Sequence, residues 1–282
     1  VTRVRIAHLS DPHFGTVQDG VRSALLAVVR GLAPDLVLIS GDITQRARRA
    51  QFRAARDFLT ALRPVPAVAI PGNHDIPLFN VVARLLRPYG GFHRYLQEFR
   101  EVKVDLGGVR VIGLNSTSKW RHVQGRLDLD RIRPLLRGNT PSGQVGPVGV
   151  RIVAVHHPLD CAKRVDDKNL IVDREAVFRE LEAAEVDLVV SGHVHDPFVT
   201  LSADRYQDWR RSMILSVAGT CLSWRTRKGA PNSFHLIDVD PDGPMPRIVL
   251  SRYDFDGAAR FAPRTDAVAR FERRGATGWT RI

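Results

Sequence analysis

Seven side chains of the types that hold divalent metal ions recur in this chain at the ends of apolar runs. They are Asp11 and His13, Asp42, Asn73, one of the pair His156 and His157, and His193 with His195. In extended backbone, residues i and i+2 point the same way, so Asp11 with His13 and His193 with His195 can each reach one small volume. Carboxylate, imidazole and amide without a thiolate suit Mn, Fe, Co, Ni or Zn better than Ca or Mg, which favour all-oxygen shells. Seven ligands exceed one tetrahedral site but serve two ions if a carboxylate is shared. Asp42, with two oxygens and a glycine before it, is the natural bridge. Two cations about 3.5–4 Å apart activate a hydroxide and clamp a phosphoryl group during in-line displacement, so phosphoester hydrolysis is the chemistry expected.

Five short strands must deliver these groups. Leu36–Ile39 is an unbroken apolar run of the kind buried on both faces, and it is released at Gly41-Asp42. Val4–Ser10 runs in the same way into Asp11-Pro12-His13, and Val65–Ile70 into Pro71-Gly72-Asn73-His74-Asp75. Arg151–Val155 runs into His156-His157-Pro158, and Val186–Val190 into Ser191-Gly192-His193-Val194-His195. Open α/β sheets present their ligands at such carboxyl ends. Helical periodicity over Val21–Leu32, Gln45–Leu62, Leu127–Leu136 and Glu175–Ala184 alternates with the strands, which makes an α/β layer fold. Residues Leu78–Arg100 read as helix broken by Pro88, Gly90 and Gly91, either a cap over the site (78–101) or an outer hairpin. Val102–Asn115 reads as two strands joined at Gly107-Gly108. Gly138–Gly149 reads as a surface connection. Further strands are expected at Leu215–Val217, Ser233–Asp238 and Ile248–Ser251. The domain expected to carry the chemistry spans 1–250, with 251–282 as an extension of unassigned role.

With 282 residues, 44% of them hydrophobic, the chain can bury a large core. Its net charge of +12 invites an anionic partner, yet only five of the 42 basic residues are lysine, a bias that fits a GC-rich genome at least as well. The arginine row Arg46, Arg49, Arg53 and Arg56 reads first as a solvated helix face. Two cysteines, Cys161 and Cys221, make no disulfide framework and fit reduced thiols in the cytoplasm. The sequence runs straight into a strand without a charged-then-apolar signal region, and no window approaches 18 apolar residues.

The ordered series Asp11-x-His13, Gly41-Asp42, Gly72-Asn73-His74-Asp75, His156-His157-Pro158 and Gly192-His193-x-His195 resembles the calcineurin-like metallophosphoesterase superfamily. The resemblance covers about residues 4–240 and implies a four-layer α/β/β/α sandwich of two mixed sheets flanked by helices. It implies that Asp11, His13, Asp42 and His195 hold one divalent ion while Asp42, Asn73, His156 and His193 hold the other, with Mn, Fe or Zn as candidates. It also implies that His74 is no ligand but contacts the scissile phosphate and protonates the leaving oxygen. His157, the neighbour of His156, is then left for the substrate. Within the superfamily the GDIT, GNHD and HHP spellings, with Ala218-Gly219-Thr220 and Pro231-Asn232-Ser233-Phe234, are most similar to bacterial class III cyclic-nucleotide phosphodiesterases and their relatives. Pro12 and Asn115 depart from the residues commoner there.

The expected function is thus a dinuclear phosphodiesterase acting by bridging-hydroxide attack on a cyclic nucleotide or similar small diester. Arg225 and Arg227 can grip a substrate phosphate, or can be ordinary surface arginines. Two other enzymes fit the same ligands. A membrane-surface pyrophosphatase on a nucleotide-linked lipid would use the arginine surplus and the apolar run Leu78–Leu86 for peripheral contact, and a nuclease would use the charge for single-stranded DNA. A scaffold without catalysis would not need all seven ligands and His74.

Overall fold

The computed structural model describes residues 3–100, 102–137, 148–206, 210–227 and 229–282. The chain opens with β1 (Val4–Leu9), α1 (Asp19–Leu32), β2 (Leu36–Ser40), α2 (Arg49–Ala61) and β3 (Ala67–Ile70). These strands pair in parallel, β1 on β2 and β2 on β3. Two short helices follow, α3 (Val81–Leu86) and α4 (Gly90–Tyr95), and then the hairpin of β4 (Lys103–Leu106) and β5 (Val109–Gly113). After α5 (Leu129–Arg137) come β6 (Val150–Ala154), α6 (Arg174–Ala183), β7 (Leu188–Ser191), β8 (Phe198–Leu201), the single turn α7 (Ser202–Arg205) and β9 (Ile214–Val217). The chain closes with β10 (Ser233–Asp240), β11 (Arg247–Phe255), β12 (Phe261–Arg273) and β13 (Trp279–Arg281). One seven-stranded sheet has the order β13-β12-β11-β10-β1-β2-β3, and the six-stranded second has the order β4-β5-β6-β7-β9-β8. Both are mixed, as expected.

Strand periodicity explains why the apolar runs are unbroken. Along β2, Leu36 and Leu38 enter the cluster that also holds Val109, Val111, Ile152, Leu188 and Ile214 of the other sheet. Val37 and Ile39 point oppositely and join Leu25, Val29, Phe52 and Leu59 of α1 and α2. A third cluster packs Ile132, Val177, Phe178 and Leu181 of α5 and α6 on Val153 and Val189. The layers therefore run α, β, β, α, and each central strand has core on both faces.

Helix α2 starts at Arg49, four residues later than the periodicity over Gln45–Leu62 predicts. The Gln51 side chain takes up the Arg46 and Arg48 backbone N–H groups, so residues 45–48 stay a loop. Arg49, Arg53 and Arg56 are exposed, the solvated face expected, but Arg46 lies in the loop before the helix, half-buried over the Phe79 ring. Most of the expected connection Gly138–Gly149 lies outside the described residues. Residues 251–282 supply the end of β11 and all of β12 and β13. Trp279 there is fully buried and donates from Nε1 to Asp187, the residue before β7 in the second sheet, 2.9 Å away. Cys161 and Cys221 are free and buried. Among the described residues no helix is long and apolar enough to cross a membrane.

His8 and His235 sit opposite each other on β1 and β10, both buried, each hydrogen-bonded to a serine, Ser40 or Ser216. Burial, and then the Arg252 charge, push His235 down to about 3. A folded value below the unfolded 6.5 means this ring stabilises the fold above pH 6.5, and that stabilisation is lost as pH falls toward 3. His235→Gln is therefore expected to flatten the acid side of the urea-midpoint profile between those limits; an unchanged slope would show that His235 takes up its proton equally in both states.

Candidate metal centre

All five strand exits that carry candidate ligands open at the carboxyl edge of the two sheets. Asp11, His13, Asp42, His193 and His195 all adopt left-handed backbone, with φ of 51°, 46°, 48°, 71° and 55°. Such residues other than glycine are uncommon, and they concentrate where function holds them. Neighbouring loops fix them. The Asp11 N–H donates to Gly41 O at 3.1 Å and the His13 N–H to Asp42 O at 3.0 Å. His193 N–H donates to Asp11 Oδ2 at 2.9 Å, and His74 N–H to Asp42 Oδ1 at 2.8 Å. A Cβ on Gly72 would overlap the Asp42 backbone nitrogen, so the Asn73 loop can approach Asp42 only with glycine there.

The side chains form two groups around Asp42. In the first, His195 Nε2 lies 3.2 Å from Asp11 Oδ1 and 3.1 Å from His13 Nε2. His13 Nε2 is 3.7 Å from Asp11 Oδ1 and 3.7 Å from Asp42 Oδ2. In the second, His156 Nε2 lies 3.3 Å from Asp42 Oδ1, 3.0 Å from Asn73 Oδ1 and 3.2 Å from His193 Nδ1. Each oxygen of Asp42 thus faces a different group.

The donor chemistry tests whether cations fit. His195 Nδ1 is 2.7 Å from Arg225 O and His156 Nδ1 is 2.9 Å from Ser40 O. A carbonyl only accepts, so both Nδ1 atoms carry a proton and both rings aim Nε2 lone pairs inward, each open to a second proton or to a metal ion. Those lone pairs meet carboxylate and amide oxygens and other imidazole nitrogens. Such a set needs positive charge at its centre. Protons show the same demand: burial opposes it, yet the Asp42 carboxylate pushes His156 up to about 9. Likewise, burial works against ionising Asp11 and Asp42, but the neighbouring histidines hold both below the usual carboxylate range. Asp11, His13 and His195, and Asp11, Asp42 and His156, each bring their ligand atoms within 4.8 Å of one another, as groups that could hold a metal ion.

The remaining expected residues fall on either side of this centre. His74 lines the cleft, its Nδ1 proton given to Gln45 O at 2.9 Å and its Nε2 4.0 Å from Asp42 Oδ2. His157 is buried between His156 and His193, with Nδ1 on Ser116 Oγ at 2.9 Å, and its Nε2 has no hydrogen-bond partner among the described residues. It also groups with His156 and His193 as a possible metal-holding set. Arg225 and Arg227 line the cleft, which encloses about 300 Å3. Arg225 already donates to Gln45 Oε1, and Arg227 forks onto both oxygens of the buried Asp166, at 3.0 and 2.8 Å.

Sequence reasoning missed several contributors. His122 reads as a surface or cap residue, but it lines the cleft with its ring centre 5.3 Å from that of His74, and Asn169 joins it there. Asp75 was visible only as the last letter of the Asn-His-Asp run. Buried, its carboxylate accepts from the N–H groups of Ile43, Thr44 and Gly72 and from the Thr44 hydroxyl. It thereby clamps the Asp42 loop to the Asn73 loop. Burial, and then the Asp42 charge, push this carboxyl up to about 7. Asp75→Ala strands three buried N–H groups and takes one acceptor from the Thr44 hydroxyl, and it is expected to cost about 3–5 kcal/mol in urea unfolding of the chelator-treated protein. A loss below about 1 kcal/mol would mean water replaces the clamp.

A family model described as calcineurin-like phosphoesterase matches residues 4–197. A probable cyclic nucleotide phosphodiesterase of Synechococcus is 26% identical over 255 residues, 84% of this chain and 88% of the relative. A probable glycerophosphodiester phosphodiesterase of Arcobacter nitrofigilis is 27% identical over 190 residues, 66% of this chain and 63% of the relative. Among solved structures, a purple acid phosphatase from yellow lupin superposes with a TM-score of 0.62 over 93% of this chain and 53% of its own, at 14% identity. At that identity the likeness concerns the fold.

Proposed function

The chain belongs to the calcineurin-like phosphoesterase family, and from that premise we propose that it is a metal-dependent phosphodiesterase hydrolysing a small phosphodiester, of the cyclic-nucleotide or glycerophosphodiester class, in this cleft. The observation that carries the reading is the Asp42 carboxylate, which turns one oxygen to each of two converging sets of lone pairs. The names of both curated relatives, which specify diesters, support the substrate class.

Asp11, His13, His195 and Asp42 would hold one divalent ion, and Asp42, Asn73, His156 and His193 the other, with Mn, Fe or Zn suited to this nitrogen and oxygen set. When bound, such a pair supplies Lewis-acid polarisation of phosphoryl oxygens and lowers the pKa of water. The chain's own residues do the rest. Arg225 O and Ser40 O fix the His195 and His156 tautomers, so the ligand nitrogens arrive pre-aimed. His74, its Nδ1 proton held by Gln45 O, presents Nε2 to the cleft, where the doubly protonated ring can pass its second proton to the departing oxygen and remain as the neutral Nδ1–H imidazole. Asp166 holds the Arg227 fork at the rim in an ion pair that neutralises its charge, so the guanidinium would bind a substrate phosphate only by sharing itself between the two anions.

The test strips the protein with chelator and assays bis(p-nitrophenyl) phosphate and p-nitrophenyl phosphate with Mn, Fe or Zn restored in turn. Loss on chelation, return with metal and preference for the diester are expected. Cyclic AMP, glycerophosphodiesters, a lipid-linked pyrophosphate and single-stranded DNA then rank substrate classes. Hydrolysis that survives full chelation, or that is confined to the monoester, would overturn the reading.

A further inference from the structure

Beside the cleft lies a surface that catalysis does not use. Helix α3 has no buried residue, and Phe79, Val81, Val82 and Leu86 stand exposed on and before it, Phe79 at 78% and Leu86 at 76%. The loop carrying Trp120, itself 75% exposed, is fastened to the same helix. Arg84 Nε donates to Lys119 O at 2.7 Å, and Lys119 Nζ donates back to Leu85 O at 3.0 Å. These bonds make helix and loop one platform, and two residues on, His122 and Val123 form the cleft wall.

The charge on this platform has one sign. Residues 76–97 and 115–127 contain no aspartate or glutamate, and the helix and its loop carry Arg84, Arg87, Lys119 and Arg121; Arg126 belongs to a separate pocket that it lines with Asp128, Asp130 and Asp173. Of the acids bounding the first stretch, Asp75 is buried, and Glu98 pairs with Arg63 at 2.8 Å. The cations sit on the aromatic rings: Lys119 Nζ lies 5.1 Å from the Trp120 ring centre, and the Arg46 guanidinium 5.6 Å from that of Phe79.

We propose that this platform docks the protein onto an anionic lipid surface. Exposed aliphatic and aromatic side chains among arginine and lysine are what an interfacial segment needs: apolar groups enter the headgroup boundary while the cations meet lipid phosphates. A twofold contact between copies would set this basic face against itself with no acid between, which like-charge repulsion disfavours. Single-stranded nucleic acid could stack on Phe79 and Trp120 but would leave the exposed aliphatic side chains Val81, Val82 and Leu86 without a role, whereas a lipid boundary takes up both kinds. Docking would hold the cleft mouth at the headgroup level.

The test is co-sedimentation of the full chain with phosphatidylcholine vesicles, with and without phosphatidylglycerol. Sedimentation only with phosphatidylglycerol, weakened as salt rises, is expected. The F79S/W120S double variant should lower the partition coefficient at least about tenfold, and R87E/R121E should lower it by about fivefold or more per residue. R179E, an exposed site on α6, should leave it unchanged. Hydrolysis of bis(p-nitrophenyl) phosphate in solution should be equal in all four proteins, which shows the variants are folded and separates this proposal from the assignment of the reaction. No sedimentation, equal sedimentation with neutral vesicles, or indifference to the platform variants would overturn it. So would a dimer in analytical ultracentrifugation, or single-stranded DNA binding, abolished by the same variants in place of vesicle binding.

Discussion

Exchanging Asp42 for alanine is expected to lower kcat/KM for bis(p-nitrophenyl) phosphate by at least about a thousandfold, the scale of losing a charge-stabilising group from a preorganised site. Bound metal, read by elemental analysis after desalting, should fall in both positions, because one side chain serves both groups: Oδ1 lies 3.3 Å from His156 Nε2 and Oδ2 3.7 Å from His13 Nε2. Alanine also strands the His74 N–H, which donates to Oδ1 at 2.8 Å, and so confounds charge with local structure. Asp42→Asn separates the two. The amide keeps the shape and one acceptor oxygen but loses the charge, so fold stability should stay within about 1 kcal/mol while activity falls nearly as far. A fully active, fully loaded Asp42→Asn protein would remove Asp42 from the shared position.

The parts of this site that could be read from sequence are those tied to strand periodicity. Leu36–Ile39 had to be buried on both faces, and its exit therefore had to lie at a sheet edge; four more such runs with the same kinds of exit residue point to a common edge. What periodicity does not encode is direction within a loop. His156 and His157 are adjacent and chemically identical; only the tertiary partners, Ser40 O for one and Ser116 Oγ for the other, distinguish how each ring is held. His122 is isolated in a loop whose position depends on bonds from Lys119 to Leu85 and from Tyr89 to Thr117, pairs 34 and 28 residues apart. The strand β12 hid for another reason. Its middle residues are exposed, so no apolar alternation marks it, and the register shift between Ser251 and Tyr253 breaks the pattern of the strand it pairs with. Residues 45–48 lost their helical turn because their polar groups are used elsewhere: Gln45 O takes the His74 proton, and Gln51 takes the amides of 46 and 48. In each case a long-range polar contact outweighs local propensity.

That last contact sets up the second large effect. Because Gln45 O can only accept, one His74 proton is pinned to Nδ1 and the other position is Nε2, 4.0 Å from Asp42 Oδ2 on a side chain that is 13% exposed. If the ring is doubly protonated and Nε2 passes the second proton to the leaving oxygen, the value of His74 depends on how badly that oxygen needs one. His74→Ala is expected to reduce kcat on an alkyl diester such as a glycerophosphodiester by about 10^2–10^4-fold, the usual range for a general acid. On bis(p-nitrophenyl) phosphate, whose leaving group is stable as its anion, the loss should be much smaller. Metal content should not change, since neither ring nitrogen belongs to the two converging groups. His74→Gln gives the discriminating control: an amide can donate a hydrogen bond but cannot surrender the proton, so it should recover any deficit due to positioning and none due to acid catalysis. Equal losses on both esters, with full recovery by glutamine, would assign His74 to binding the phosphate. A large loss confined to the alkyl ester, unrelieved by glutamine, would place the transferred proton on Nε2.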